Sequence, residues 1–128
     1  MAIKPNELHE LARRQSDQPG EAWRRSAISR AYYASYHRCL EWERGLPRRG
    51  QGTRRSAGIH QRLIDRLGAP DGACTQHQRD LSIELERLLS QQKKRRVKAD
   101  YRLPANVDDR DLSDQMKDAR DVFRVCAS

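Results

Sequence analysis

Apolar residues along this chain recur at intervals of three and four, the spacing that keeps one face of an α-helix against a core. Asn6 can cap a short first helix with Leu8, Leu11 and Ala12 on one side, and Ser16-Asp17-Gln18-Pro19-Gly20 then reads as a turn. Pro19, at or near a first helical position, opens a longer second helix through about Arg44. Along it Ala27, Ile28, Ala31, Tyr32, Ser35 and Cys39 form a narrow stripe whose small residues permit close helix packing.

The stretch from Gly45 to Arg55 is rich in glycine and arginine and predicts a mobile connection. Ser56 can cap a third helix with Ile59, Leu63, Ile64 and Leu67 inward, ended by Gly68 and Pro70. Thr75 followed three residues later by Gln78 is a capping box, and Leu81, Leu85, Leu88 and Leu89 continue the apolar face of a fourth helix. That helix runs into Lys93–Lys98, where cations oppose the partial negative charge of a helix end. Asp100 to Pro104 should be extended, because a proline disfavours helical backbone in the residue before it. A last helix begins between Asp108 and Ser113 and carries Leu112, Met116, Ala119, Val122, Phe123 and Cys126. The prediction is a single all-α domain over residues 1–128, two long antiparallel helices with about three shorter ones packed around them.

Composition agrees: aromatic residues are 5% and charged residues 34%, so strands have little to draw on. The net charge of +8 is carried by one third of the chain, since residues 24–62 hold ten arginines against Glu41 and Glu43. Such a cationic field favours RNA, DNA or an acidic protein as partner. Arg outnumbers Lys by 21 to 5, which suits bidentate phosphate contact, although a GC-rich genome produces the same bias. Cys39, Cys74 and Cys126 show no metal-ligand spacing, so neither a disulfide framework nor a metal site is expected, and Cys39 and Cys126 fall on apolar stripes as small core residues. No cofactor motif, catalytic triad order or helix-turn-helix pattern stands out. No signal peptide or membrane span is visible, and a cytoplasmic, reduced protein is expected.

Candidate chemistry centres on Arg30-Ala-Tyr-Tyr-Ala-Ser-Tyr-His37. Seven helical residues return Arg30 and His37 to within ~20° of one meridian, ~10.5 Å apart, so two long side chains can converge on one phosphate. The plain alternative is a polar seam. Tyr33 lies between them and could orient His37 or stack on a base, while packing of Tyr32, Tyr33 and Tyr36 is the simpler reading. Arg48, Arg49, Arg54 and Arg55 suit an RNA-gripping loop or a merely solvated one, and Arg95 and Arg96 are further candidates for phosphate contact. Asp100 is placed to accept a hydrogen bond from one of these arginines, and His60 to approach the second helix.

Ser29-Arg-Ala-Tyr-Tyr-Ala34, then Gly58-Ile-His60 with Leu63-Ile64, then Arg96-Val-Lys-Ala-Asp-Tyr101, in that order, resemble the HEPN superfamily. The resemblance implies a helical bundle around a long antiparallel pair, commonly homodimeric, in toxin-antitoxin and phage-defence systems, often beside a minimal nucleotidyltransferase. Catalytic members are metal-independent ribonucleases with an Arg, four to six residues and a His, two copies facing across the dimer. Arg30 and His37 satisfy that spacing, and the chemistry suits them: a histidine can take the proton of a ribose 2′-hydroxyl while an arginine stabilises charge on the phosphate. Two features depart from the pattern. Ala31 follows Arg30 where a polar residue is usual, and the pair lies on the second helix where catalytic members place it late, near the end of the fourth; the late segment here, Arg96–Tyr101, holds no histidine. The resemblance therefore implies either an endoribonuclease using Arg30 and His37 or a noncatalytic module that docks a nucleotidyltransferase-type antitoxin or other acidic protein.

Overall fold

Capping chemistry sets where each helix starts and stops. A computed structural model describes residues 3–52 and 56–128, and these form α1 (Pro5–Ser16), α2 (Glu21–Arg44), α3 (Ile59–Leu67), α4 (Gln76–Tyr101) and α5 (Asp109–Cys126), with no strand among the described residues. The protein is all-α. The start of α1 lies ahead of Asn6: Pro5 takes the first position, where a missing N–H costs nothing, and Glu7 reaches back to the Lys4 amide at 2.7 Å. At α4 the capping box forms as expected, with Gln78 N donating to Thr75 Oγ1 at 3.1 Å and Thr75 N to Gln78 Oε1 at 2.9 Å. Asp108 caps α5 by accepting from the Asp111 amide at 2.9 Å.

Two further boundaries differ from expectation. Gly58, not Ser56, precedes α3, and Ile59 at its first position is 65% exposed rather than inward, leaving Leu63, Ile64 and Leu67 as the buried face. Asp100 and Tyr101 are helical, not extended, because Pro104 restrains only Leu103 and the preceding residues gain from continuing the helix. What ends α4 is Arg25. Its guanidinium, 12% exposed, donates to the carbonyls of Lys98 (3.3 Å), Ala99 (2.9 Å), Arg102 (3.3 Å), Leu103 (3.1 Å) and Ala105 (2.5 Å), supplying partners that a helix C-terminus lacks. Glu21 steadies the same turn, accepting from Arg25 at 3.3 Å and from the Val107 amide at 2.9 Å.

Antiparallel packing of α2 and α4 follows from their cross-links, Arg25 near Ala99 at one end and Ser35 on Gln92 further along. The predicted α2 stripe is buried throughout, from Ala27 to Cys39. Tyr32, Tyr36 and Cys39 join Leu63, Ile64 and Leu67 of α3, Leu85, Leu88 and Leu89 of α4, and Val122, Val125 and Cys126 of α5 in the main core. Each fully buried leucine there contributes about 1.5 to 3 kcal/mol. Ala12 of α1 meets Ala31, Met116 and Ala119 in a second cluster of small side chains. Between the clusters runs a buried polar chain: Ser35 Oγ donates to Gln92 Oε1 at 2.8 Å, and Gln115 Nε2 donates to the Ile28 and Gln92 carbonyls, each at 3.1 Å.

The described part of the glycine-rich connection lies against the end of α3. Gln51 N donates to the Ala69 carbonyl at 3.0 Å, and a Cβ on Gly50 would stand 2.0 Å from the Arg66 carbonyl oxygen, so only glycine fits there. Nearby, Glu43 is 2% exposed and accepts two bonds from Arg66, at 2.8 and 2.9 Å. All three cysteines are free and buried. A hydrogen bond between Cys39 and Cys126, reinforced at Cys39 by burial, raises the Cys39 thiol above its ordinary range and lowers that of Cys126. Among the described residues no helix is long and apolar enough to cross a membrane.

Candidate functional site

The three segments Ser29–Ala34, Gly58–His60 and Arg96–Tyr101 converge around one guanidinium. Arg96 Nε donates to Asp100 Oδ2 at 2.9 Å, and its Nη2 to Tyr33 Oη at 2.7 Å and Tyr101 Oη at 3.3 Å. The cation also lies 5.2 Å from the Tyr33 ring centre and 5.1 Å from that of Tyr101. Ser29 Oγ donates to the same Asp100 oxygen at 3.0 Å, so α2 and α4 share one carboxylate. Asp100 thus accepts from an arginine as expected.

His60 does approach the second helix. Its Nδ1 lies 3.0 Å from Tyr32 Oη, and its ring centre 4.3 Å from that of Tyr36 and 5.7 Å from that of Tyr33. Burial lowers the basicity of His60 first, and the positive charges of Arg96 and Lys93 and the proximity of His37 lower it further. Burial pushes the Tyr32 hydroxyl well above the ordinary tyrosine range. Near neutral pH both groups are uncharged; a Tyr32 hydroxyl donating to Nδ1 leaves the ring proton on Nε2.

Arg30 and His37 stand outside this cluster, both exposed on α2. No hydrogen bond joins them, and Arg30 has no ion pair among the described residues. His37 rests edge-on against Tyr36 at 5.2 Å and borders a cleft of about 170 Å³ with Leu8, Leu40 and Arg44. The tyrosine that touches His37 is therefore Tyr36; Tyr33 is held by Arg96 instead.

The other candidates divide. Arg95 donates to Asp118 Oδ2 at 2.7 Å and to Gln115 Oε1 at 3.1 Å, so its charge ties α4 to α5 instead of facing a phosphate. Arg96 is likewise committed within the cluster. Arg48 and Arg49 are exposed, with Arg49 Nε 3.9 Å from Glu43, and Arg54 and Arg55 lie outside the described residues. Sequence reasoning missed Arg25, whose partners are main-chain carbonyls, and gave no role to His60, whose partner is a hydroxyl on another helix. Tyr32 to His60 spans 28 positions, beyond any local pattern.

No group of His, Cys, Asp and Glu among the described residues could hold a metal ion. Chemically, Arg30 and His37 present a permanent cation and an imidazole to solvent, while the Arg96 cluster ties α2 to α4 beside them. No family model, curated protein or solved structure matches this chain.

Proposed function

We propose that this chain is a HEPN-like RNA-binding protein of the toxin or defence type, in which Arg30 and His37 meet the phosphodiester of the strand. The observation that carries the reading is that both residues are exposed on one side of α2, whereas Arg25, Arg66, Arg95 and Arg96 are engaged in holding helices together. An arginine left without an ion pair among the described residues has charge to spend on a ligand. In a homodimer that brings two copies of α2 face to face, His37 would take the 2′-hydroxyl proton and Arg30 would stabilise the pentacoordinate phosphate; the 2′-oxygen bonds phosphorus as the bond to the 5′-oxygen breaks, the 5′-oxygen leaves with a proton from solvent, and a 2′,3′-cyclic phosphate remains without need of a metal.

The departures at Ala31 and in the late segment support a second reading, a noncatalytic module that docks a nucleotidyltransferase or another acidic protein. One assay separates the two. End-labelled RNA is incubated with the purified protein in excess chelator, and binding and cleavage are followed together. Cleavage lost in His37→Ala and Arg30→Ala, with helicity intact by circular dichroism, supports the enzyme. Binding without cleavage supports the module, and a wild type that does neither sinks the RNA reading.

A further inference from the structure

Two of the three thiols belong together. Cys39 of α2 and Cys126 of α5 meet in the main core, where a hydrogen bond joins their sulfurs. Cys74 is no part of that cluster; it precedes α4, and its Sγ faces the Arg48 carbonyl at 3.6 Å.

The paired thiols are not equivalent. Cys39 is fully covered, whereas Cys126 is 8% exposed and ends the last turn of α5. With the Cys39 thiol as donor, the hydrogen bond favours a thiolate on Cys126 and disfavours one on Cys39. Arg38, next to Cys39 on α2, donates from Nη2 to the Cys126 carbonyl at 3.3 Å, which sets a permanent cation beside the same residue. Burial and Glu41 act against the Cys126 thiolate without reversing the direction.

Access comes from the surface behind Arg38. A cleft of about 300 Å³, lined by Lys4, Pro5, Asn6, Arg38, Glu41 and Phe123, brings solvent to Arg38 and to the helical turn before Cys126. A terminal helical turn opens locally at little cost, so a small molecule reaches the Cys126 sulfur while α2 stays folded. A partly accessible sulfur biased toward the thiolate, with a second thiol already against it, is the arrangement of an oxidant-reactive pair.

We propose that Cys126 is an oxidation site for hydrogen peroxide and that Cys39 resolves it, closing a disulfide between α5 and α2. The Cys126 thiolate attacks one peroxide oxygen: an S–O bond forms, the O–O bond breaks, and the departing hydroxide takes up the proton that Cys126 released, giving water and a sulfenic acid. The Cys39 sulfur then bonds the Cys126 sulfur as the S–O bond breaks, and the hydroxyl leaves as water with the Cys39 proton. Two thiols are oxidised by two electrons in all, and one peroxide is reduced to two waters. The new bond locks α2, just beyond His37, onto the end of α5. It involves neither Arg30 nor His37, so it goes beyond the reading above and can fail independently of it.

The test is peptide mapping by mass spectrometry of the full chain, reduced, exposed to hydrogen peroxide in native buffer or in urea, and alkylated. The native sample should yield a Cys39–Cys126 linked peptide, lost on adding dithiothreitol, in about tenfold excess over any pair that includes Cys74; the urea sample should lose that preference. With dimedone present, the sulfenic acid adduct should form on Cys126 about fivefold faster than on Cys39. Cys39→Ala should raise the yield of that adduct, and Cys126→Ala should leave Cys39 unmodified. Oxidised wild type should melt about 5 °C or more above the reduced protein. Three alkylated thiols in the native sample, pairing with Cys74, or the same products in native buffer and urea overturns the site. An adduct first on Cys39 overturns the assignment of roles, and an unchanged or lower melting temperature overturns the lock. Mapping and dimedone trapping use the wild type, so they decide the question where an alanine variant does not fold.

Discussion

Each end of α2 is fastened to a neighbouring helix by one arginine, Arg25 to α4 and Arg66 of α3 to Glu43, and the two are used in opposite ways. At one end Arg25 spreads its charge over five main-chain carbonyls where α4 stops. At the other Arg66 concentrates its charge on a single carboxylate, Glu43, that is 2% exposed. The arginines themselves are similarly covered, 12% and 22% exposed. The difference lies in what each leaves behind. Carbonyls at a helix end can take up water if the arginine goes, whereas the buried Glu43 carboxylate must either stay charged with only exposed Arg49, 3.9 Å away, beside it or bind a proton. Equal burial of a side chain therefore does not mean equal dependence on it.

Arg66→Ala should show the largest effect, a loss of about 3 to 5 kcal/mol in urea unfolding, because it removes both hydrogen bonds of buried Glu43 and leaves it only the longer contact to exposed Arg49. Adding Glu43→Leu should return much of that loss; no recovery would mean the arginine acts through packing alone. Leu88→Ala, at a fully buried leucine of the same core, should cost about 2 to 5 kcal/mol with no pH dependence of its own. Arg25→Ala should cost less, about 2 kcal/mol, with faster amide exchange confined to residues 99–108; a global loss as large as that of Arg66→Ala would erase the contrast between the ends.

A smaller effect should come from protons. His60 and His9 both have basicity lowered by burial from the ordinary value of 6.5. Below that value the unfolded chain binds more protons than the folded one, so stability should fall as pH drops from about 7 toward 5. His60→Gln should flatten that slope, measured as melting temperature against pH; an unchanged slope would assign it to His9. Smallest of all, Arg30→Ala and His37→Ala should shift stability by no more than about 0.5 kcal/mol, since both residues are exposed. A larger loss would make them part of the scaffold.

Local chemistry was legible in the sequence. The Thr75–Gln78 box is closed within four residues, and the α2 stripe repeats at helical spacing, so both follow from neighbours along the chain. The Arg96–Asp100 pair, one helical turn apart, is of the same kind. Less legible were features whose partner is distant or has no side chain. Nothing around Arg25 announces carbonyls more than 70 positions away, and an arginine in a basic sequence looks like surface charge. For the same reason Arg95 and Arg96 read as phosphate ligands, although Asp118 and Tyr33, which occupy them, come from other helices. The candidate pair itself was placed by spacing alone; its exposure depended on how α1 and α3 pack beside α2.

Gly50 couples parts of the molecule that look independent. Its missing side chain lets the connection lie against the last turn of α3, where Arg66 and Ala69 expose their carbonyls. Arg49, one residue earlier, and Arg66 both point at Glu43. The position of the basic connection and the position of α3 are consequently one mechanical variable. A methyl group at residue 50 would act as a wedge, shifting the cationic surface and loosening the buried ion pair in a single movement.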